Sequence, residues 1–145
     1  MSVDPRNFRY GITIPSEGYC DQPYVIKCAD GSWLCAMTTG MGKEGQPGQH
    51  IVSYRSLDKG VTWIDKRDVE PADGPSASWS VLFRHPSGRI YCFYTFNKDG
   101  LREVETTSGK ATPRVDTLGD YAFRYSDDHG KSWSEKRYSI PLRAF

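Results

Sequence analysis

The chain is poor in the residues that most metal-binding and redox signatures need. It holds three His and four Cys in 145 residues. No two cysteines stand in Cys-x-x-Cys spacing, so no zinc site of the usual kind can be assembled, and neither metal nor cofactor is expected. Excess charge is nearly absent too: 19 Lys+Arg against 18 Asp+Glu leave +1. There is no basic stripe to draw a nucleic acid and no acidic tail. No apolar run approaches the ~18–20 residues of a membrane helix. The opening Met1-Ser2-Val3-Asp4-Pro5-Arg6 lacks the apolar core of an export signal, which favours the cytoplasm. No segment has a helical period. What is plentiful is aromatic: 13% of residues, with nine Tyr and four Trp, beside 14 Gly and 9 Pro. That mixture points to a turn-rich β protein.

The cysteines, Cys20, Cys28, Cys35 and Cys92, read as reduced, mostly buried small hydrophobes. Asp30-Gly31 reads as a two-residue hairpin turn, which sets Cys28 opposite Trp33 and Cys35 opposite Ile26, so the two thiols are not partners.

The sequence repeats itself. Ser56-Leu57-Asp58-Lys59-Gly60-Val61-Thr62-Trp63 returns as Ser126-Asp127-Asp128-His129-Gly130-Lys131-Ser132-Trp133, both S-x-D-x-G-x-[ST]-W. By average residue usage such a match arises on the order of once in a million starting positions. The flanks repeat as well: Lys66-Arg67 then Pro71, and Lys136-Arg137 then Pro141. Upstream, Gly31-Ser32-Trp33-Leu34-Cys35 matches Gly88-Arg89-Ile90-Tyr91-Cys92. Each repeat divides into four short strands: 24–29, 33–38, 51–55 and 64–69, then 80–85, 89–96, 121–125 and 135–140. Four antiparallel strands per repeated unit predict an all-β chain of two β-propeller blades, 21–71 and 78–141. Phe8–Ile14 resembles the tail after the second octet and is expected to form the outer strand of a neighbouring blade. Two blades cannot close a ring. Either the chain is a fragment, or it is a homo-oligomer, with three two-blade protomers closing six blades.

The two octets resemble the Asp-box, or bacterial-neuraminidase repeat, of the sialidase superfamily, which folds as a six-bladed propeller. The resemblance covers about Ile14 to Pro141. It implies that the box is the turn between a blade's third and fourth strands, and it makes Ser56, Asp58, Gly60, Trp63, Ser126, Asp128, Gly130 and Trp133 structural. His129, at a free position of the box, reads as a solvated turn residue. The superfamily has an arginine two residues before a proline on the first inner strand, to hold the substrate carboxylate; here Asp21 stands there, in Cys20-Asp21-Gln22-Pro23. A carboxylate at that place repels a sialic acid, which argues against sialoside cleavage.

Strand alternation places the loops 15–22, 39–50, 70–79 and 97–120 on one face, and they hold most of the unusual chemistry. Asp21 and Glu44 are candidates for a two-carboxylate glycosidase pair. His50 with Tyr19 are the alternative, as base and acid of a lyase, with Arg114 neutralising a uronate carboxylate. The expected catalytic residues are Asp21, Glu44 and His50. Tyr19, Gln22, Trp79, Asn97 and Arg114 are expected to bind the ligand, a glycan, because sugars need paired polar groups beside a flat apolar ring. A non-catalytic glycan-binding module remains open beside the enzyme. His85, before the turn Ser87-Gly88, reads as structural, and 97–120 reads as a lid or assembly loop.

Overall fold

The structure is a computed structural model that describes residues 4, 6–116 and 118–140. Its strands are β1 (Tyr19–Lys27), β2 (Trp33–Gly40), β3 (Gln49–Ser56), β4 (Ile64–Asp68), β5 (Ala77–Arg84), β6 (Ile90–Phe96), β7 (Val104–Glu105), β8 (Ala111–Thr112), β9 (Asp120–Ser126) and β10 (Tyr138–Ser139). They form two four-stranded antiparallel sheets, β1-β2-β3-β4 and β10-β9-β6-β5, and a small hairpin β7-β8. These are the two blades that the repeat predicts. The hairpin sits inside 97–120, where the second repeat carries its extra residues.

The blades stack face to face because strand alternation gives each sheet one apolar side. Leu34, Ala36 and Ile51 of the first meet Leu82, Ile90, Cys92, Tyr94 and Ala122 of the second. A fully buried Leu or Ile in this seam stabilises it by about 1.5–3 kcal/mol relative to exposure. The other side of the first sheet holds Cys35, Met37, Val52 and Tyr54, with Ile14 and Trp63 against them.

The repeated octets fold alike. Ser56 Oγ donates to Asp58 Oδ1 (2.8 Å), and Asp58 also accepts from Thr62 N (2.8 Å) and Thr62 Oγ1 (2.7 Å). Ser126, Asp128 and Ser132 repeat these bonds at 2.8, 2.9 and 2.6 Å. The hydrogen bonds to Thr62 and Ser56 hold the Asp58 carboxyl down to about 2. Both glycines are left-handed (φ +88 and +81). The second turn wedges between the sheets: Trp133 Nε1 donates to Ser53 Oγ (2.9 Å).

Local expectations need three corrections, in the first hairpin, the last strand and Cys20. The first hairpin is longer than two residues: Cys28 N donates to Ser32 O, Asp30 Oδ1 accepts from Ser32 N, and Gly31 is left-handed. Cys35 therefore faces Val25 and Trp33 faces Lys27. Within this chain Phe8–Tyr10 is a single 3-10 turn capped by Asn7, and Phe8–Ile14 joins neither of the two four-stranded sheets. The last strand shrinks from 135–140 to Tyr138–Ser139. Cys20 is exposed, whereas Cys28, Cys35 and Cys92 are buried.

Candidate functional site

β1 and β5 lie at corresponding edges of their sheets, and both are broken at the same place. Register slips between Asp21 and Tyr24 on β1, and between Ser78 and Val81 on β5. At the slips Gln22 and Trp79 adopt left-handed backbone (φ +46 and +61). Such a conformation is unusual for residues with a Cβ and re-aims the side chain of a bulge. The two bulges are equivalent: 79 − 22 = 57, the same offset as 88 − 31 between the hairpin glycines Gly31 and Gly88. The β5 bulge is bonded to the first sheet, since Trp79 N donates to Thr38 Oγ1 (2.8 Å) of β2, and Thr38 pairs with Asp21 of β1. Asp21, Gln22 and Trp79 thus share the loop-bearing end of the seam.

The long loop folds back onto the same end. Asn97 hooks it through Nδ2 to Leu101 O (2.7 Å) and Val115 O (3.3 Å), and Val115 N then donates to Gly45 O (3.0 Å). That brings Arg114 to Glu44 (3.0 Å) and, through two nitrogens, to the buried Asp116 (2.9 Å each). Tyr19 is close to the same acids. Burial first, then the charge and hydrogen bond of Asp21, then Glu44 and Asp116, push its phenol up to about 12. The phenol therefore stays protonated and serves as a hydrogen-bond donor. Tyr19, Asp21, Glu44, Arg114 and Asp116 make one polar cluster at this end.

Three expected roles change. His50 is 2% exposed and lies on the opposite face of the sheet, in register with Cys20 and Thr39 rather than with Asp21. Its Nε2 is 3.1 Å from Glu17 Oε2 but off the line of a hydrogen bond. Glu17 is itself bonded to Lys66, whose ammonium lowers its pKa. The strand period of two separates His50 from Tyr19, so they cannot act together as acid and base on one bond. Asn97 is used up in organising its loop. Arg114 is already paired with two carboxylates, so it is not poised to neutralise a uronate. His85 is a turn residue, its Nδ1 2.8 Å from Ser87 Oγ.

Sequence reasoning missed the buried acid of the seam. Glu70, 1% exposed, accepts from Arg137 Nε (2.7 Å), Arg124 Nε (3.0 Å) and the Tyr94 hydroxyl. Arg137 also lies 3.5 Å above the Phe96 ring. The only sequence signal was an acid directly after a strand and two arginines on the last strands of the next repeat. A cleft of about 600 Å³ opens beside Glu44 and Arg102. A slightly larger hollow of about 650 Å³ runs along Ile12, Ile14, Val25, Trp33 and Trp63. It is an uncovered sheet face with little polar chemistry, so the cleft at Glu44 fits a polar ligand better.

No protein-family model matches the sequence, and no curated protein matches it. Solved structures do. A Hadza microbial sialidase, Hz136, superposes with a TM-score of 0.60 at 18% identity, over 81% of this chain and 25% of its own. The fold is sialidase-like. A protein of unknown function from Dyadobacter fermentans DSM 18053 gives 0.57 at 18% identity, over 82% and 36%. The chain thus spans about a quarter to a third of these proteins.

Proposed function

We propose that the protein is carbohydrate-active, a glycoside-processing relative of the sialidases, and that its octets are Asp-box turns. The observation that carries this reading is the pair of equivalent bulges, which set Gln22 and Trp79 at the same end of the seam as Asp21. A sugar stacks on the indole and bonds to Gln22, while Asp21, held by the Tyr19 phenol, is the carboxylate at the reacting centre. Glu44 is the second carboxylate. Replacement of the superfamily's arginine by Asp21 supports a neutral glycoside over a sialoside.

The test is turnover of a panel of neutral aryl glycosides, with Asp21→Asn beside the unaltered chain. Loss of turnover with an unchanged circular dichroism spectrum supports the assignment; an unchanged rate overturns it. A second reading, glycan binding without turnover, is supported by the ion pair that engages Glu44 with Arg114. It predicts saturable glycan binding that Trp79→Ala weakens by about 1–3 kcal/mol and no product after long incubation.

A further inference from the structure

The end of the seam opposite the loops carries a cluster that neither the repeat nor the proposed function uses. Cys28, Asp30 and His129 place their ligand atoms within 4.8 Å of one another. They come from two places far apart in sequence, the first hairpin of one sheet and the octet turn of the other. Packing of that turn brings them together: Arg55 Nε donates to His129 O (3.0 Å), and Cys28 Sγ lies 4.0 Å from the same carbonyl. His129 Nδ1 is buried and has no hydrogen-bond partner among the described residues. A buried ring nitrogen without a partner is costly in the folded state unless something else occupies its lone pair or proton.

We propose that Cys28, Asp30 and His129 form a binding site for a zinc-class divalent cation that pins the two sheets together. The Cys28 thiolate, one imidazole nitrogen and one Asp30 oxygen supply three ligands, and water supplies the fourth on the exposed side of Asp30. The donor set selects zinc or cobalt over calcium or magnesium, because thiolate and imidazole suit borderline-soft ions. Bonds of about 2.0–2.3 Å put tetrahedral ligand atoms closer together than 4.8 Å, a spacing the three side chains reach by drawing inward on the ion. On binding, the thiol proton passes to solvent, the cation keeps one water of its hydration shell and sheds the others, and no electrons change hands.

Charge balance favours the ion despite a neighbouring guanidinium. Arg55 lies 3.3 Å from both Asp30 Oδ2 and Asp65 Oδ2. The thiolate, Asp30 and Asp65 are three negative charges, and Arg55 with a dication are three positive. Arg84 also lies in the field of the thiol, but it is exposed and screened by solvent. Asp30 Oδ1 already accepts from Ser32, which orients the carboxylate as outer-shell partners do for metal ligands. The first octet has no such site, since Lys59 stands where His129 does in the second.

Cobalt(II) is the probe, added to the reduced 145-residue chain in metal-free buffer. The expected result is one saturable equivalent with the intense visible bands of four-coordinate cobalt and a thiolate-to-cobalt charge-transfer band, both bleached by zinc. Cys28→Ser removes the charge-transfer band. His129→Lys weakens cobalt binding by at least on the order of tenfold. It also keeps the turn, because Lys59 already holds the same left-handed conformation (φ +60) that His129 does (φ +63). Cys20→Ser leaves the spectrum unchanged. A chain that gives no thiolate band, a spectrum that survives His129→Lys, or one lost in Cys20→Ser overturns the proposal.

Discussion

At the scale of single residues, Glu70 shows how one buried charge is kept. Burial alone would raise its pKa, but Arg137, Tyr94 and Arg124 outweigh it and hold the carboxyl below the ordinary glutamate range. Removing the acid leaves two guanidinium groups facing each other in a half-buried seam. Glu70→Ala is therefore expected to cost about 3–5 kcal/mol in urea unfolding. Because the folded pKa is lowered, its contribution is complete above the unfolded glutamate pKa and disappears as pH falls through the folded value. Urea midpoints measured from neutral pH downward should fall more gently for Glu70→Gln than for the unaltered chain. Equal slopes would show that Glu70 does not titrate in the transition. Tyr19 and Asp21 illustrate the same scale at the candidate site, where one phenol pushed up by burial remains a donor to its neighbouring acid.

Among the elements, the octet turns have the same internal bonds but different surroundings. Around Asp58 the turn lies on its own sheet and borders the hollow shared with Ile12 and Ile14, with Gly60 against Trp33 and Trp63. Around Asp128 it is wedged across the seam: a Cβ on Gly130 would come within 2.4 Å of Leu34 Cδ1, and Arg67 Nε donates to Lys131 O. Asp128→Ala is thus expected to lower the thermal midpoint more than Asp58→Ala, since it loosens both a turn and an interface. Equal shifts in a melting scan would mean that the second turn contributes nothing beyond its own bonds. The bulges make the complementary point, since the same break in β1 and β5 carries two different side chains, Gln22 and Trp79.

On the scale of the whole molecule, the second sheet leaves one side uncovered. Phe83, Tyr91, Phe93, Phe123, Tyr125 and Tyr138 form a continuous patch with neighbouring centroids 5.1–6.4 Å apart. The hollow along Trp33 and Trp63 leaves the first sheet similarly open. Patches of this kind on soluble proteins are contact surfaces. We propose that in solution the 145-residue chain associates head to tail, aromatic face against Trp63 hollow, as the first sheet already receives the second. Light scattering should give about three times 16.4 kDa if six blades close a ring. A monomer at every concentration would refute the association, and Phe93→Lys should weaken it.

The sequence alone determined that the chain is two copies of one four-stranded unit, because a turn that must cap backbone N–H groups and seat a left-handed glycine admits few residue types. It also placed Asp21, Glu44 and Trp79 at one end, since strand alternation and turn positions are local rules. Tertiary packing decided the rest. Which side of the sheet His50 faces depends on a register set by its partner strands, and a slip of one residue would have reversed it. That Arg114 pairs with Glu44 and Asp116 follows from how Asn97 folds the long loop back. Glu70 with its arginines, and Cys28 with Asp30 and His129, exist only where two sheets meet. Contacts between segments so distant in the chain have no spacing for a sequence to display.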